Sequence, residues 1–176
     1  VTIPSSVTSI GDGAFYYCQN MISVEILDGV LSIGESAFAG CSGLDSIIIP
    51  NSVTSIGENC FMYCTGLNSI SLSNNLTTIE KKTFFLCSSL SSIVIPNSVN
   101  SIEEYAFSEC RLDSIILPNS VLFVGVDAFQ ECDHLKKAGL PNGLSILPSG
   151  LFWGCDSLMY VTMPDSLIYI NHVAFS

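Results

Sequence analysis

Apolar residues recur along the chain at a fixed interval. Phenylalanine marks one position of this period eight times, and the spacing is 23 residues except for one step of 22. A cysteine follows three residues after each of the first seven of these phenylalanines, and an aliphatic residue stands five residues before each of the eight. A period of this length indicates a repeat protein. The phenylalanines are Phe15, Phe38, Phe61, Phe84, Phe107, Phe129, Phe152 and Phe175.

One unit of the repeat reads L-x-x-I-x-I-P-x-x-V-x-x-I-G-x-x-A-F-x-x-C-x-x. The alternation in L-x-x-I-x-I predicts a strand with one buried side, and the proline ends its pairing because it has no N–H to donate. The V-x-x-I-G segment is predicted to be short and extended, with a turn at the glycine. The A-F-x-x-C segment is predicted to form about one helical turn, with Ala and Phe pointing inward.

A single unit cannot bury its apolar side alone, whereas stacked units bury it against their neighbours. We therefore predict a β-dominated solenoid with parallel strands and short helical turns, forming a single domain over residues 1–176 with about seven repeats of 23 residues. At roughly 4.8 Å between paired strands, seven units span on the order of 35 Å. The sequence starts and stops inside a unit, so we expect either flanking sequence or self-association through the uncapped ends.

The segment from Leu44 to Gly57, continuing to Phe61 and Cys64, resembles the BspA-like, or Treponema pallidum-type, leucine-rich repeats. The resemblance covers essentially the whole chain. It implies the leucine-rich-repeat fold, a right-handed α/β superhelix with parallel strands on one side. It also implies a cell-surface or secreted protein with a role in adhesion or host-protein binding. It transfers no binding residue, because this family has no fixed binding motif.

The charge of the chain excludes some classes of partner. The net charge is −11, with 16 acidic residues against five basic ones. Binding to a phosphate backbone requires clustered Lys or Arg, so a nucleic-acid partner is not expected. No apolar run approaches the roughly 20 residues that cross a bilayer, so this segment is not expected to insert into a membrane.

No arrangement of residues predicts catalysis, a cofactor or a metal site. His134 and His172 stand at unrelated positions of the unit, and no motif of a nucleophile with its base is present. The periodic cysteines each stand in a separate unit, unlike zinc ligands, so we predict a buried structural column. Cys60 takes the place of the alanine before Phe61 and is predicted to be a core substitution.

Acidic residues recur just after the glycine position, and Lys81 interrupts this column. A calcium site needs several oxygen atoms that converge on one point, which a straight column does not supply. Asn75 begins the only N-x-S/T sequence and is a candidate glycosylation site if the protein follows a eukaryotic secretory route. A chance occurrence of this short motif is the alternative.

The outward positions of the V-x-x-I segment change along the chain from Thr and Ser to large apolar residues. Neighbouring units would set these residues side by side, and a contiguous exposed apolar surface usually marks an interface. The alternative is that later residues or a capping segment cover them. The predicted partner-binding residues are Leu122, Phe123, Ile146, Ile168 and Tyr169, with Tyr160 from the preceding strand.

These observations predict a binding or adhesion module rather than an enzyme. The expected partner is a protein, such as a host extracellular-matrix or epithelial surface protein. The alternative is a structural spacer or a surface antigen scaffold without a specific ligand.

Overall fold

The computed structural model describes residues 1–176 as a stack of coils with short parallel strands and no helix. The strands are β1 (Thr2–Ile3), β2 (Ser9–Ile10), β3 (Glu25–Ile26), β4 (Ser32–Ile33), β5 (Ser46–Ile48), β6 (Ser55–Ile56), β7 (Ser69–Ser71), β8 (Thr78–Ile79), β9 (Ser101–Ile102), β10 (Ser114–Ile116), β11 (Phe123–Val124), β12 (Lys137–Gly139), β13 (Ile146–Leu147), β14 (Tyr160–Thr162) and β15 (Tyr169–Ile170).

The strands form two rows, because each coil adds its strands beside those of the coil before it. Row one contains the L-x-x-I-x-I strands, which pair as β1–β3, β5–β7 and β10–β12–β14. Row two contains the V-x-x-I strands, which pair as β2–β4–β6, β8–β9–β11 and β13–β15. Every pair is parallel and joins equivalent positions of successive units, as Ser9 with Ser32 and Ile10 with Ile33. The predicted parallel-strand solenoid of about seven turns is confirmed.

The phenylalanines form one continuous column through the core. The rings of successive coils stack with centroids 5.1–5.8 Å apart and interplanar angles of 1–26°. Phe38, Phe61, Phe84, Phe107 and Phe129 are fully buried. Each inner ring therefore packs against two others, which removes a large apolar surface from water.

The cysteines form a second column beside the phenylalanines, as predicted. All eight are free, and seven of them are buried. The thiol of each periodic cysteine from Cys41 onward donates to the carbonyl oxygen of the phenylalanine in the preceding coil, with S···O distances of 3.0–3.2 Å. Cys18, in the first coil of the structure, is exposed. The thiols thus fill the core and give most of these phenylalanine carbonyls a second donor, beside the N–H of the cysteine in their own coil.

The prediction of short helical turns, and with it the α/β description, is wrong. In the A-F-x-x-C segment, alternate N–H groups bond within the coil and to the next coil. Ala37 donates to the carbonyl of Gly34, three residues back, whereas Phe38 donates to the carbonyl of Cys60 in the next coil at 2.9 Å. A helix would direct all of these N–H groups to residues four positions back in the same segment. The need to bond neighbouring coils therefore replaces the helix with consecutive turns.

The same segment contains residues with left-handed backbone conformation at two positions of most units. Most of them are not glycine, although an L-residue in this region costs about 1–2 kcal/mol. The stacking imposes this conformation, because it alternates the direction of the N–H groups. The non-glycine residues, with φ between 49° and 61°, are Tyr17, Ser36, Asn59, Tyr63, Lys82, Leu86, Tyr105, Glu109, Asp127, Glu131 and Val173.

We expect Glu109→Gly to stabilise the protein by about 0.5–1 kcal/mol, because glycine has no Cβ to clash in the left-handed region. Glu109 has a φ of 59°, and its carboxylate takes part in neither of the two salt bridges of the structure. Urea denaturation of the variant and the parent chain measures the difference. Glu109→Ala is the control, since it keeps the Cβ and should bring no gain. Equal free energies of unfolding for the two variants would contradict the prediction.

The thiols should differ sharply in reactivity toward an alkylating reagent at mildly alkaline pH. Burial raises the pKa of Cys41 to about 11 and raises the pKa values of Cys87 and Cys110, which suppresses the reactive thiolate. Cys18 should therefore be modified first in the native protein. The seven buried thiols should react much more slowly, because the packed core keeps the reagent away from them. Mass spectrometry of timed samples measures the order, and fast native labelling of Cys87 would refute it.

Candidate interaction surface

Large apolar side chains cover the outer side of row two near its C-terminal end. Phe123 in β11, Ile146 in β13 and Tyr169 in β15 occupy the same position of successive units, and Ile146 pairs directly with Tyr169. Leu122 and Ile168 stand one position earlier in their units. All five are exposed, from 47% for Ile146 to 81% for Ile168. The structure therefore brings five of the six predicted residues together on one face.

Tyr160 does not belong to this face. It lies in β14 of row one, where it pairs with Lys137 of β12, and it is 67% exposed. The two rows form separate sheets, so Tyr160 stands apart from the other five residues. We use the term apolar face for Leu122, Phe123, Ile146, Ile168 and Tyr169 only.

A groove of about 400 Å³ divides the apolar face between β11 and β13. These strands are neighbours in the stack, yet no backbone hydrogen bond joins them. Apolar side chains from both coils form most of its walls, with Ser145, Ser149 and Asn171 as its polar residues. The groove is lined by Leu122, Phe123, Val124, Val126, Leu144, Ser145, Ile146, Pro148, Ser149 and Asn171.

Pro148 explains the loss of one of the bonds that would close this groove. In five other coil pairs, the residue after the row-two strand donates its N–H to the preceding coil. These bonds, 2.8–3.0 Å long, run from Gly34 to Ile10, Gly57 to Ile33, Glu103 to Ile79, Gly125 to Ile102 and Asn171 to Leu147. Pro148 occupies the same position and has no N–H, so the carbonyl of Val124 lacks this donor.

Row two has a second gap, between β6 and β8, and its surroundings are different. The outward residues there are Thr54, Ser55, Thr77 and Thr78, which are polar. The proline and the large apolar residues therefore coincide only at the groove between β11 and β13. This coincidence distinguishes the groove from an ordinary irregularity of the stack.

Sequence reasoning missed seven of the ten residues that line the groove, among them Val126, Leu144 and Pro148. Two signals were present in the sequence. Val126 replaces the acidic residue that follows the glycine position in earlier units, and Pro148 replaces the glycine itself. Both substitutions fall in the units where the outward columns become apolar, so all of these columns change together.

Carboxylates line row two on the N-terminal side of the groove. Lys81 makes an ion pair with Glu104 at 2.6 Å, which confirms that it relieves the acidic column. Burial raises the pKa of Glu80, and the neighbouring Glu103 and Glu58 raise it further. We call Glu58, Glu80, Glu103 and Glu104 the acidic strip. The strip has four carboxylates and Lys81 pairs with one of them, so the strip keeps a net negative charge.

The remaining candidate positions lie elsewhere. Asn75 is exposed, and its side-chain nitrogen, the atom that would carry a glycan, donates to the carbonyl of Asn51 at 2.7 Å. His134 and His172 are exposed on different coils. No group of three or more His, Cys, Asp or Glu side chains is placed to hold a metal ion. The structure contains no helix that could span a bilayer.

Comparison with known proteins identifies the repeat. The family model for the BspA type leucine rich repeat region matches in six copies, over residues 1–110 and 77–176. Among curated proteins, none matches the chain significantly.

Several solved structures share the fold. A leucine-rich repeat protein of T. pallidum is 37% identical over 82% of this chain and 70% of its own, with a TM-score of 0.78. A leucine-rich repeat protein from Bacteroides ovatus is 29% identical over 99% of this chain, with a TM-score of 0.63. This chain spans 57% of the Bacteroides protein. A third, from Eubacterium ventriosum, is 20% identical over 97% of this chain and 72% of its own, with a TM-score of 0.52, and shows the fold alone.

Glu80→Gln should raise the urea midpoint at neutral pH, because it removes one charge from the acidic strip. The pKa of Glu80 is raised in the folded state, so the native protein binds its proton more tightly than the unfolded chain does. Protonated Glu80 therefore adds to the free energy of unfolding of the parent protein in acid. This stabilisation should be lost as the pH rises through the folded-state pKa of Glu80. The difference between the variant and the parent should shrink in acid, where Glu80 is protonated. Glu109→Gln, which removes a charge outside the strip, is the control, and an equal gain there would contradict the prediction.

Proposed function

The chain belongs to the BspA-type leucine-rich repeat family, and on that premise we propose that it is a binding module of a cell-surface or secreted protein. The module holds a partner protein through the apolar face on β11, β13 and β15. It acts by recognition and not by catalysis. The partner class that we propose is a host extracellular-matrix or epithelial surface protein.

The apolar face is the observation that supports this function. Phe123 is 51% exposed and Ile168 is 81% exposed, on a chain whose equivalent row-two positions are mainly Ser and Thr. Adjacent large apolar side chains in water favour association with a partner that covers them. Solenoids bind through extended surfaces built from such columns, and no rearrangement of the core is needed to expose this one.

A structural spacer or surface antigen scaffold is the second candidate. The regular stacking favours it, because continuous columns of buried Phe and Cys join each coil to the next without an interruption. A spacer, however, gives no reason for the apolar face. The two candidates differ in how they tolerate charge at that face.

The test is a pair of double variants with the same added charge. Phe123→Asp with Tyr169→Asp should weaken binding to immobilised extracellular-matrix and epithelial surface proteins by at least about tenfold, because buried aromatic anchors dominate the energy of an interface. Ser9→Asp with Ser55→Asp places the same charges at equivalent exposed positions of earlier units and should leave binding unchanged. Surface plasmon resonance measures both. Equal binding by the two double variants would support the spacer.

A further inference from the structure

The groove between β11 and β13 favours one kind of occupant. We infer that it takes an extended polypeptide segment of the partner, in which one large apolar side chain is flanked by basic residues. This inference rests on the binding function proposed above and specifies the chemistry of the segment that is held. Three features of the groove support this inference: its apolar walls, the unpaired peptide groups of its backbone and the negative charge beside it.

The walls favour an apolar anchor. Phe123 and Val126 from one coil face Leu144 and Ile146 from the next, around a space of about 400 Å³. The polar groups among the lining residues are few and uncharged, so they offer no cluster that would hold a small polar ligand. A single large side chain in such a space removes apolar surface of both molecules from water. Anchors of this kind carry most of the energy of a protein interface.

The backbone favours an extended segment. No backbone hydrogen bond crosses from β11 to β13, so the peptide groups that face the gap lack the partners that neighbouring coils provide elsewhere. The carbonyl of Val124 is one of them, because Pro148 has no N–H. The main chain of an extended segment can satisfy such groups, which adds affinity without dependence on side-chain identity.

The charge favours basic residues beside the anchor. Glu103 follows Ile102, which pairs with the groove residue Val124, and Asp127 donates its N–H to the carbonyl of the groove residue Ser149 at 3.1 Å. Lys81 is bonded to Glu104, and no basic residue lines the groove. With a net charge of −11 on the chain, a basic segment is attracted and an acidic one is repelled.

Synthetic peptides test the inference directly. The probe is a short fluorescent peptide with one phenylalanine between lysines, and its binding is followed by fluorescence anisotropy. We expect it to bind, to weaken as salt is added, and to weaken by at least about tenfold when its phenylalanine is replaced by alanine or its lysines by glutamates. A glutamate peptide that binds as well as the lysine peptide would overturn the inference, and so would the absence of any binding.

Variants of the chain locate the bound peptide. Ile146→Asp should weaken binding by at least about tenfold, while Ser55→Asp, at the equivalent position in β6, should not. Pro148→Gly restores the N–H that would bond to the carbonyl of Val124. It should therefore narrow the groove and weaken the binding of the peptide without adding charge. Changes in the amide NMR chemical shifts of the unmodified chain when the peptide is added give a measurement that does not depend on the folding of a variant. They should concentrate at Val124, Val126 and Ile146, and shifts confined to row one would overturn the assignment.

The outcomes separate this inference from the proposed function. If the peptide fails to bind but Phe123→Asp with Tyr169→Asp still abolishes binding to a partner protein, the function stands and the assigned occupant is wrong. If the peptide binds in the groove but the double variant keeps its partner protein, the groove binds the peptide and the apolar face is not the partner site.

Discussion

The stacking of equivalent residues at an interval of 23 is the constraint on which the rest of the structure depends. Each coil buries its phenylalanine between those of its neighbours, with ring centroids less than 6 Å apart. This contact fixes the register of every other position, because a coil that slipped by one residue would expose its whole apolar set. The thiol columns, the strand pairs and the left-handed residues all follow from this register. Phe15 and Phe175, at the two ends of the stack, show the effect by contrast, since each has a neighbour on one side only.

The fixed register also explains how an exposed apolar surface can arise without changing the core. Val124 and Leu147 occupy the buried inward position of row two, whereas Phe123 and Ile146 occupy the exposed position just before it. Since these positions are independent, the outer column can change from Ser to Phe while the inner column stays aliphatic. Equivalent positions of successive coils are neighbours in space, so a few substitutions in adjacent units create one continuous surface. The apolar face is therefore a property of the repeat as much as of its individual residues.

The fold and the core were predictable from the sequence because both are properties of the period. The conformation of the A-F-x-x-C segment was not, because Lys82, Leu86 and Glu109 have no intrinsic preference for left-handed backbone. Hydrogen bonds between coils impose that conformation, and the only local sign of it is glycine at the same positions of other units, as at Gly40 and Gly150. Tyr160 was grouped with the apolar face because both outer columns become bulky toward the C-terminus. The structure separates Tyr160 from the apolar face because the two rows form different sheets. Pro148 signalled the groove, whereas nothing in the sequence marks the gap between β6 and β8.

A gap in row two does not separate the coils, because three sets of contacts hold each pair together. Across the groove, β10 still pairs with β12 in row one, and the rings of Phe129 and Phe152 stack at 5.8 Å. The turns also continue to bond, as Phe129 donates to the carbonyl of Leu151 at 3.1 Å. The stability of a solenoid is the sum of such interfaces between neighbours, so the loss of one row weakens a junction without breaking it. For this reason a solenoid can open a groove between two coils and keep its register on both sides. Row two can thus be open at a junction that row one, the turns and the phenylalanine column hold together.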